Sequence, residues 1–123
     1  MKALRIHIEE RLPIAEATKD LDSIAHIRFS CAQLRLNCGD LKQEDAQTIY
    51  DELAESFAIW QKLQRADGVA IAGWMLGQIL AMGSQPDEAL TVLDQSAMAF
   101  ERMQQTPQAE KVRDLQRQIR KEQ

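Results

Sequence analysis

The sequence predicts an all-α fold of about six antiparallel helices arranged as a repeat. Only five of the 123 residues are glycine and three are proline, which leaves long uninterrupted stretches. Residues that favour helices, such as alanine, leucine and glutamine, are common, whereas valine, threonine and tyrosine, which favour strands, are scarce. A pattern of apolar residues also recurs every 43 residues.

Glycine and proline mark the ends of the predicted helices. Gly39 and Gly83 suit helix C-termini, whereas Pro86 and Pro107 suit first turns, where the missing N–H costs no hydrogen bond. Thr106 is predicted as the N-cap before Pro107. We place the helices near residues 2–18, 22–38, 42–65, 68–82, 86–104 and 107–121.

Three positions on one helical face define the repeat. A small residue is followed four and eleven positions later by larger, mostly apolar residues, in three helices spaced by 43 residues. The sets are Ala3, His7 and Ile14; Ala46, Tyr50 and Phe57; and Ala89, Leu93 and Phe100. The intervening helices align better at a spacing of 45, which pairs Phe29 with Trp74. The difference of two residues is placed in the loop at 42–45.

One segment carries a family resemblance. Leu76-Gly77, followed by Asp87-Glu88-Ala89, Leu93 and Ala97, resembles the tetratricopeptide repeat (TPR), whose first helix carries Leu-Gly and whose second begins near a small alanine. The unit exceeds the usual length of about 34 residues, and it is similar to the long-helix variety of bacterial signalling proteins. The resemblance implies a right-handed helical-hairpin solenoid forming a single domain over 1–123. Its parts are a half repeat at 1–18, repeats at 22–65 and 68–104, and a capping helix at 107–121.

The two ends of this array are predicted to differ. The last helix keeps a narrow apolar stripe of Val112, Leu115 and Ile119 among charged residues, as a polar cap requires. The first helix, which Pro13 should kink, has a second apolar row with no preceding helix to cover it. That row consists of Leu4, Ile8 and Leu12. Either an upstream part of a longer protein covers it, or it forms a homodimer interface.

The resemblance also implies a binding surface. In TPR arrays the first helix of each unit lines a concave groove, which binds a peptide or a helix. The positions that match are His26, Phe29, Gln33 and Asn37 in one unit, and Ile71, Trp74, Gln78 and Met82 in the next. Phe29 and Trp74 would act as apolar anchors, and the glutamines would bond a peptide backbone. The alternative is that both aromatic residues only fill space between helices.

The residues predict neither catalysis nor a bound metal or cofactor. His7 and His26 fit no metal-ligand spacing, and no nucleophile elbow or phosphate-binding glycine loop occurs. An enzyme or small-ligand sensor would instead need a pocket converging on His26 and Asp22. The net charge of −4 disfavours nucleic acid, although a stripe of Arg113, Arg117 and Arg120 keeps it as the alternative partner.

The cysteines and the N-terminal sequence predict the cellular compartment of the protein. Cys31 and Cys38 are seven residues apart on one helix, about 10 Å, which is too far for a disulfide. Free thiols and the lack of a signal-peptide pattern predict the cytoplasm. The apolar stretch at 69–83 is shorter than the roughly 20 residues that a membrane span needs. Together these features predict a protein-interaction or oligomerisation module of a larger signalling or sensor protein, with a protein or peptide as partner.

Overall fold

The protein is all-α in the computed structural model, which describes residues 10–37 and 43–122. The helices found there are α1 (Leu12–Thr18), α2 (Leu21–Leu36), α3 (Gln43–Lys62), α4 (Ala66–Met82), α5 (Pro86–Arg102) and α6 (Thr106–Glu122). The all-α prediction is confirmed, and, apart from the start of α1, the helix ends inside the described ranges lie within three residues of those predicted. Outside these ranges lie several predicted positions, namely Ala3, Leu4, His7, Ile8, Cys38 and Gly39. None of the described helices is long and apolar enough to cross a bilayer.

The chain divides into two compact units, Met1–Leu63 and Gln64–Gln123. In the first unit α2 and α3 form an antiparallel hairpin, and α1 packs on α2. In the second unit α5 packs against both α4 and α6. The helices of the second unit are 17 residues long, and three-residue connectors join them.

The connectors of the second unit share one hydrogen-bonded turn. Ser84 and Gln104 both have a left-handed φ of 59°. The N–H of the next residue, Gln85 or Gln105, donates to a carbonyl five residues earlier, at 3.0 and 2.9 Å. This closing bond satisfies carbonyls at the end of each helix. Gly83 ends α4 as predicted, but its φ is −86°, so Ser84 and not the glycine adopts the left-handed conformation.

The buried faces do not follow the predicted spacing of 43 residues. Between α3 and α5 the buried positions coincide at a spacing of 40: Ile49 with Ala89, Leu53 with Leu93, Ser56 with Ser96, Phe57 with Ala97, and Trp60 with Phe100. Ala46 is exposed and Tyr50 only half-buried, so the 43-residue register was wrong for this face. The two registers differ by three residues, close to one helical turn, and therefore give similar apolar patterns. Ile14, grouped with Phe57 and Phe100, is 66% exposed.

The spacing of 45 between α2 and α4 agrees with the burial. Ala25, Ile27, Cys31 and Ala32 correspond to Ala70, Ala72, Leu76 and Gly77, and all eight are buried. The first helices of the two hairpins thus align at a spacing of 45 residues and the second helices at 40. The two spacings differ by five residues and not by the predicted two. The extra residues lie between Ala32 and Ile49, a range that includes 38–42.

In each hairpin a buried serine forms a hydrogen bond between the two helices in this register. Ser56 Oγ donates to the Ala25 carbonyl at 2.9 Å, and Ser96 Oγ donates to the Ala70 carbonyl at 2.7 Å. Both serines are fully buried. Sliding one helix along the other would break this bond, and Ser56 would then keep only its second acceptor, the Glu52 carbonyl at 2.9 Å on its own helix. The same contact therefore fixes the register of α2 on α3 and of α4 on α5.

Close packing of α4 on α5 depends on a glycine. A β-carbon added at Gly77 would overlap the side chain of Leu93. Leu93 is itself fully buried and has no room to withdraw. Gly77 therefore allows the close approach of α4 to α5.

We expect Gly77→Ala to lower the free energy of unfolding by about 1–2 kcal/mol, because the added methyl must displace Leu93. Urea denaturation followed by circular dichroism measures the change. Gly83→Ala is the matched control: its φ is −86° and the nearest atom, the Ile79 carbonyl oxygen, is 3.4 Å away. That variant should gain about 0.5 kcal/mol from the stiffer unfolded chain. Equal effects at both positions would contradict the packing role of Gly77.

Polar side chains also cross between α2 and α3, and we call them the α2–α3 polar contacts. They are Trp60 Nε1 donating to Asp22 Oδ1 at 3.0 Å, Arg28 Nε at 3.1 Å from Glu55 Oε2, and Arg35 Nε donating to Glu52 Oε1 at 2.9 Å. Glu52 is only 3% exposed. Burial raises the pKa of the Glu52 carboxyl group, and the hydrogen bond from Arg35 only partly opposes this. Burial likewise raises the pKa of Cys31, which keeps this core thiol protonated.

The raised pKa of Glu52 predicts a pH dependence with a definite sign. Between the unfolded pKa, 4.5, and the higher folded value, the folded chain binds more protons than the unfolded chain. The stability that Glu52 contributes is therefore fully present below 4.5 and is lost as the pH rises through the folded pKa. The unfolding free energy of the wild type minus that of Glu52→Gln should fall with rising pH, by at most about 1.4 kcal/mol per pH unit. Urea denaturation from acid to neutral pH measures it, and a difference that rises with pH would contradict the assignment.

Candidate binding surface

An accessible stripe of side chains runs along α4. It consists of the predicted groove positions Ile71, Trp74, Gln78 and Met82, which we call the α4 stripe. Their spacings of three and four residues place them on one face of the helix. Ile71 is 46% exposed and Met82 is 85% exposed, while Trp74 and Gln78 are half-buried. Large apolar side chains with this exposure are available to a partner.

The C-terminal end of α4 adjoins a cleft of about 390 Å³ within the second unit. We call it the α4–α6 cleft. Its lining residues are Ala81, Ser84, Pro86, Leu115, Gln118, Ile119 and Glu122. Ala81 directly precedes Met82, so the stripe and the cleft meet at the end of α4. The contribution of α6 was missed because Leu115 and Ile119 were interpreted only as the packing stripe of a cap.

The predicted positions on α2 are also accessible. His26, Gln33 and Asn37 are exposed, and Phe29 is half-buried. The Phe29 ring lies 5.7 Å from the ring of buried Trp60, so Phe29 packs on its own hairpin while part of it stays exposed. Phe29 thus fills space between helices and still leaves a partly open aromatic surface. We expect it to be a poorer anchor than an aromatic residue without such a contact.

The contacts of His26 account for its position without a catalytic role. Its ring meets Trp60 edge-on at 5.0 Å, and its Nε2 lies 3.6 Å from Asp22 Oδ2. Asp22 already accepts the hydrogen bond from Trp60 Nε1. The aspartate therefore links the exposed histidine to the buried tryptophan, an arrangement that orders the start of α2.

A second cleft, of about 370 Å³, lies beside α1 and the start of α2. Its lining residues are Arg11, Ile14, Ala15, Asp20, Ser23, His26 and Ile27. Asp20 accepts hydrogen bonds from the Ser23 N–H at 3.2 Å and the Ser23 hydroxyl at 2.7 Å, which lower the pKa of its carboxyl group. This carboxylate serves as the N-cap of α2. Of the two residues on which a sensor or enzyme pocket would converge, His26 lines this cleft and Asp22 does not.

Leu12 belongs to the core of the first unit. It is buried in one cluster with Ala15, Ile27 and Cys31. The other members of the predicted N-terminal interface, Leu4 and Ile8, lie outside the described residues. Leu12 is therefore covered by its own chain, because the turn that contains it packs on α2.

Arg113 of the basic stripe on α6 is paired within the second unit. Arg113 donates to Asp94 at 2.6 Å and to Glu101 at 3.1 Å, and these carboxylates raise the pKa of its guanidinium group. It also donates to Gln116 Oε1 at 3.0 Å. Gln116 is buried and donates to the Leu90 carbonyl at 3.2 Å. These contacts fasten α6 to α5.

The prediction of the buried stripe on α6 omitted Gln116. This residue follows Leu115 in the sequence, and its side chain is buried. A glutamine among charged residues gives no sequence signal of burial. Arg117 pairs with Asp114 on its own helix. Of the three arginines proposed for nucleic acid, two therefore have carboxylate partners in their own unit.

We expect Arg113→Ala to lower the unfolding free energy by about 1–2 kcal/mol, since Gln116 and two carboxylates lose their donor. Arg117→Ala, the matched control on the same helix, should change it by less than about 0.5 kcal/mol, because its ion pair is exposed. Thermal and urea unfolding provide the comparison. Indistinguishable stabilities of the two variants would contradict the structural role of Arg113.

Among the described residues, no group of three or more histidine, cysteine, aspartate or glutamate side chains is arranged to hold a metal ion. Comparisons with protein-family models, with curated proteins and with solved structures find no match.

Proposed function

We propose that this chain is a protein-interaction module of the TPR type that binds a peptide or helix along the first helix of each hairpin. In this proposal α2–α3 and α4–α5 are the two repeats of a right-handed solenoid, and α6 is the polar cap. The common register of the buried serine bonds in the two hairpins supports their equivalence. The contact of Gly77 with Leu93 supports the role of Leu76-Gly77 in that unit.

The observation that carries the proposal is the α4 stripe and its meeting with the α4–α6 cleft. Two of the large apolar side chains that remain exposed, Ile71 and Met82, lie on this one face. Trp74 stands between them and can present a broad apolar surface. The adjoining cleft accepts side chains from a ligand that continues beyond the end of α4.

The chemistry of the stripe suits a ligand with both apolar side chains and an accessible backbone. Met82 is unbranched and adapts to ligands of different shape. The Gln78 amide can donate to and accept from a peptide group. Such a surface binds by burying apolar area and needs no reacting group, so we propose binding without catalysis, within a larger cytoplasmic signalling or sensor protein. Nucleic acid is disfavoured further because Arg113 and Arg117 are already paired.

A peptide library displayed on phage, selected against the full chain, tests this function. We expect Trp74→Ala to weaken the binding of selected peptides at least about tenfold, as the loss of a central aromatic anchor does. Met82→Ala should weaken it less, because a flexible side chain at the edge of the stripe contributes less. Affinities are measured by isothermal titration calorimetry with synthetic peptides.

Met98→Ala is the control, because Met98 is 39% exposed but lies on α5, away from the stripe. The affinity of the Met98→Ala variant for the peptides should equal that of the wild type. Circular dichroism shows whether each variant keeps its fold. If folded Trp74→Ala binds the peptides as tightly as the wild type, the α4 stripe is not the binding surface.

A further inference from the structure

The two hairpins bury corresponding positions on both of their helices. In both, a buried serine on the second helix bonds a carbonyl on the first, and Leu53 of α3 corresponds to an identical Leu93 of α5. Buried positions coincide along both helices of each hairpin. The apolar contacts discriminate between α3 and α5 as partners for α2 only through size, since Ala32 takes the place of Gly77, where a β-carbon would overlap Leu93. Misassembly and helix exchange are characteristic failures of repeat proteins during folding.

The α2–α3 polar contacts have no counterpart in the second hairpin. At the spacing of 40, their α3 members Glu52, Glu55 and Trp60 correspond to Val92, Gln95 and Phe100 of α5. None of these three α5 residues carries a carboxylate or an indole N–H. If α2 paired with α5, Arg28 and Arg35 would each lose an acidic partner. Buried Glu52 would in turn lose its guanidinium partner, and a buried charge without its partner is strongly unfavourable.

The pairing of Arg35 with Glu52 does not serve stability alone. The corresponding residues in the second hairpin are Leu80, which is buried, and Val92, which is half-buried, so apolar side chains are accommodated at both positions. Burial of Glu52 raises its pKa, so the surroundings favour its charged form less than water does. Replacing a buried ion pair by apolar residues is often neutral or stabilising. The ion pair therefore adds specificity, because Arg35 of α2 requires a helix that carries a carboxylate at the facing position.

We propose that the α2–α3 polar contacts specify α3 as the partner of α2 and prevent α2 from pairing with α5, either of the same chain or of a second copy. The contacts act by making the wrong pairing unfavourable. Correct pairing gives both arginines an acidic partner, whereas pairing of α2 with α5 leaves Arg35 facing Val92. It acts while the chain folds, when both second helices compete for α2. This inference does not depend on the proposed binding function.

Refolding of the full chain tests the proposal. The double variant Arg35→Leu with Glu52→Val, which copies the residues of the second hairpin, should keep a thermal midpoint at least as high as the wild type. After dilution from urea, however, it should yield severalfold more associated or mispaired species, increasingly so at higher protein concentration. Size-exclusion chromatography with light scattering measures these species against the wild type. The matched control, Arg35→Glu with Glu52→Arg, reverses the pair and should refold like the wild type.

A mixing experiment tests the same specificity in trans. Arg35→Glu alone places acid against acid across α2 and α3, and Glu52→Arg alone places base against base. Refolded together, the two chains should form a heterodimer by exchanging helices, which neither forms alone. The proposal is overturned if the apolar double variant refolds as completely as the wild type, or if the reversed pair misassembles as much as the apolar variant. It is also overturned if the mixture behaves as the sum of the two separate chains.

Discussion

The hydrogen bonds from the buried serines to carbonyls set the register on which the other features of each hairpin depend. Ser56 and Ser96 are fully buried, and each hydroxyl bonds a carbonyl of the facing helix. A shift by one turn would break that bond between the helices, and Ser56 would keep only the Glu52 carbonyl of its own helix as an acceptor. In the second hairpin this register also places Gly77 against Leu93. Once these contacts fix which face of α4 is buried, the exposed face follows, and it carries Ile71, Trp74 and Met82.

Helices and their ends were predictable because their signals are local. Pro86 starts α5 as predicted, whereas α6 starts at Thr106, the predicted N-cap, one residue before its predicted start. The pairing register was not predictable to the same degree. An apolar face repeats at three and four residues, so spacings of 40 and 43 fit the pattern nearly equally well. Only contacts between helices, such as that of Ser96 with Ala70, distinguish the two spacings.

The candidate surface was predictable on α4 but not on α6. A stripe on one helix follows from periodicity, and the exposure of Met82 agrees with its predicted place in a groove. The cleft needs three elements that meet at one end of the unit, and sequence spacing does not give such distances. Similarly, Gln116 and Arg113 look like surface residues, yet one is buried and the other joins α6 to two carboxylates of α5. Burial of polar groups depends on partners far away in sequence.

Polar contacts thus act differently in the two units. In the second unit Arg113 and Gln116 add polar bonds to the narrow apolar stripe that packs the final helix on α5. In the first unit Arg35 and Glu52 lie between helices that apolar residues could join equally well. In our proposal this ion pair contributes specificity in place of stability, and the alternative that it excludes is the corresponding helix α5. The similarity that makes the chain a repeat therefore also creates the need for contacts that distinguish its parts.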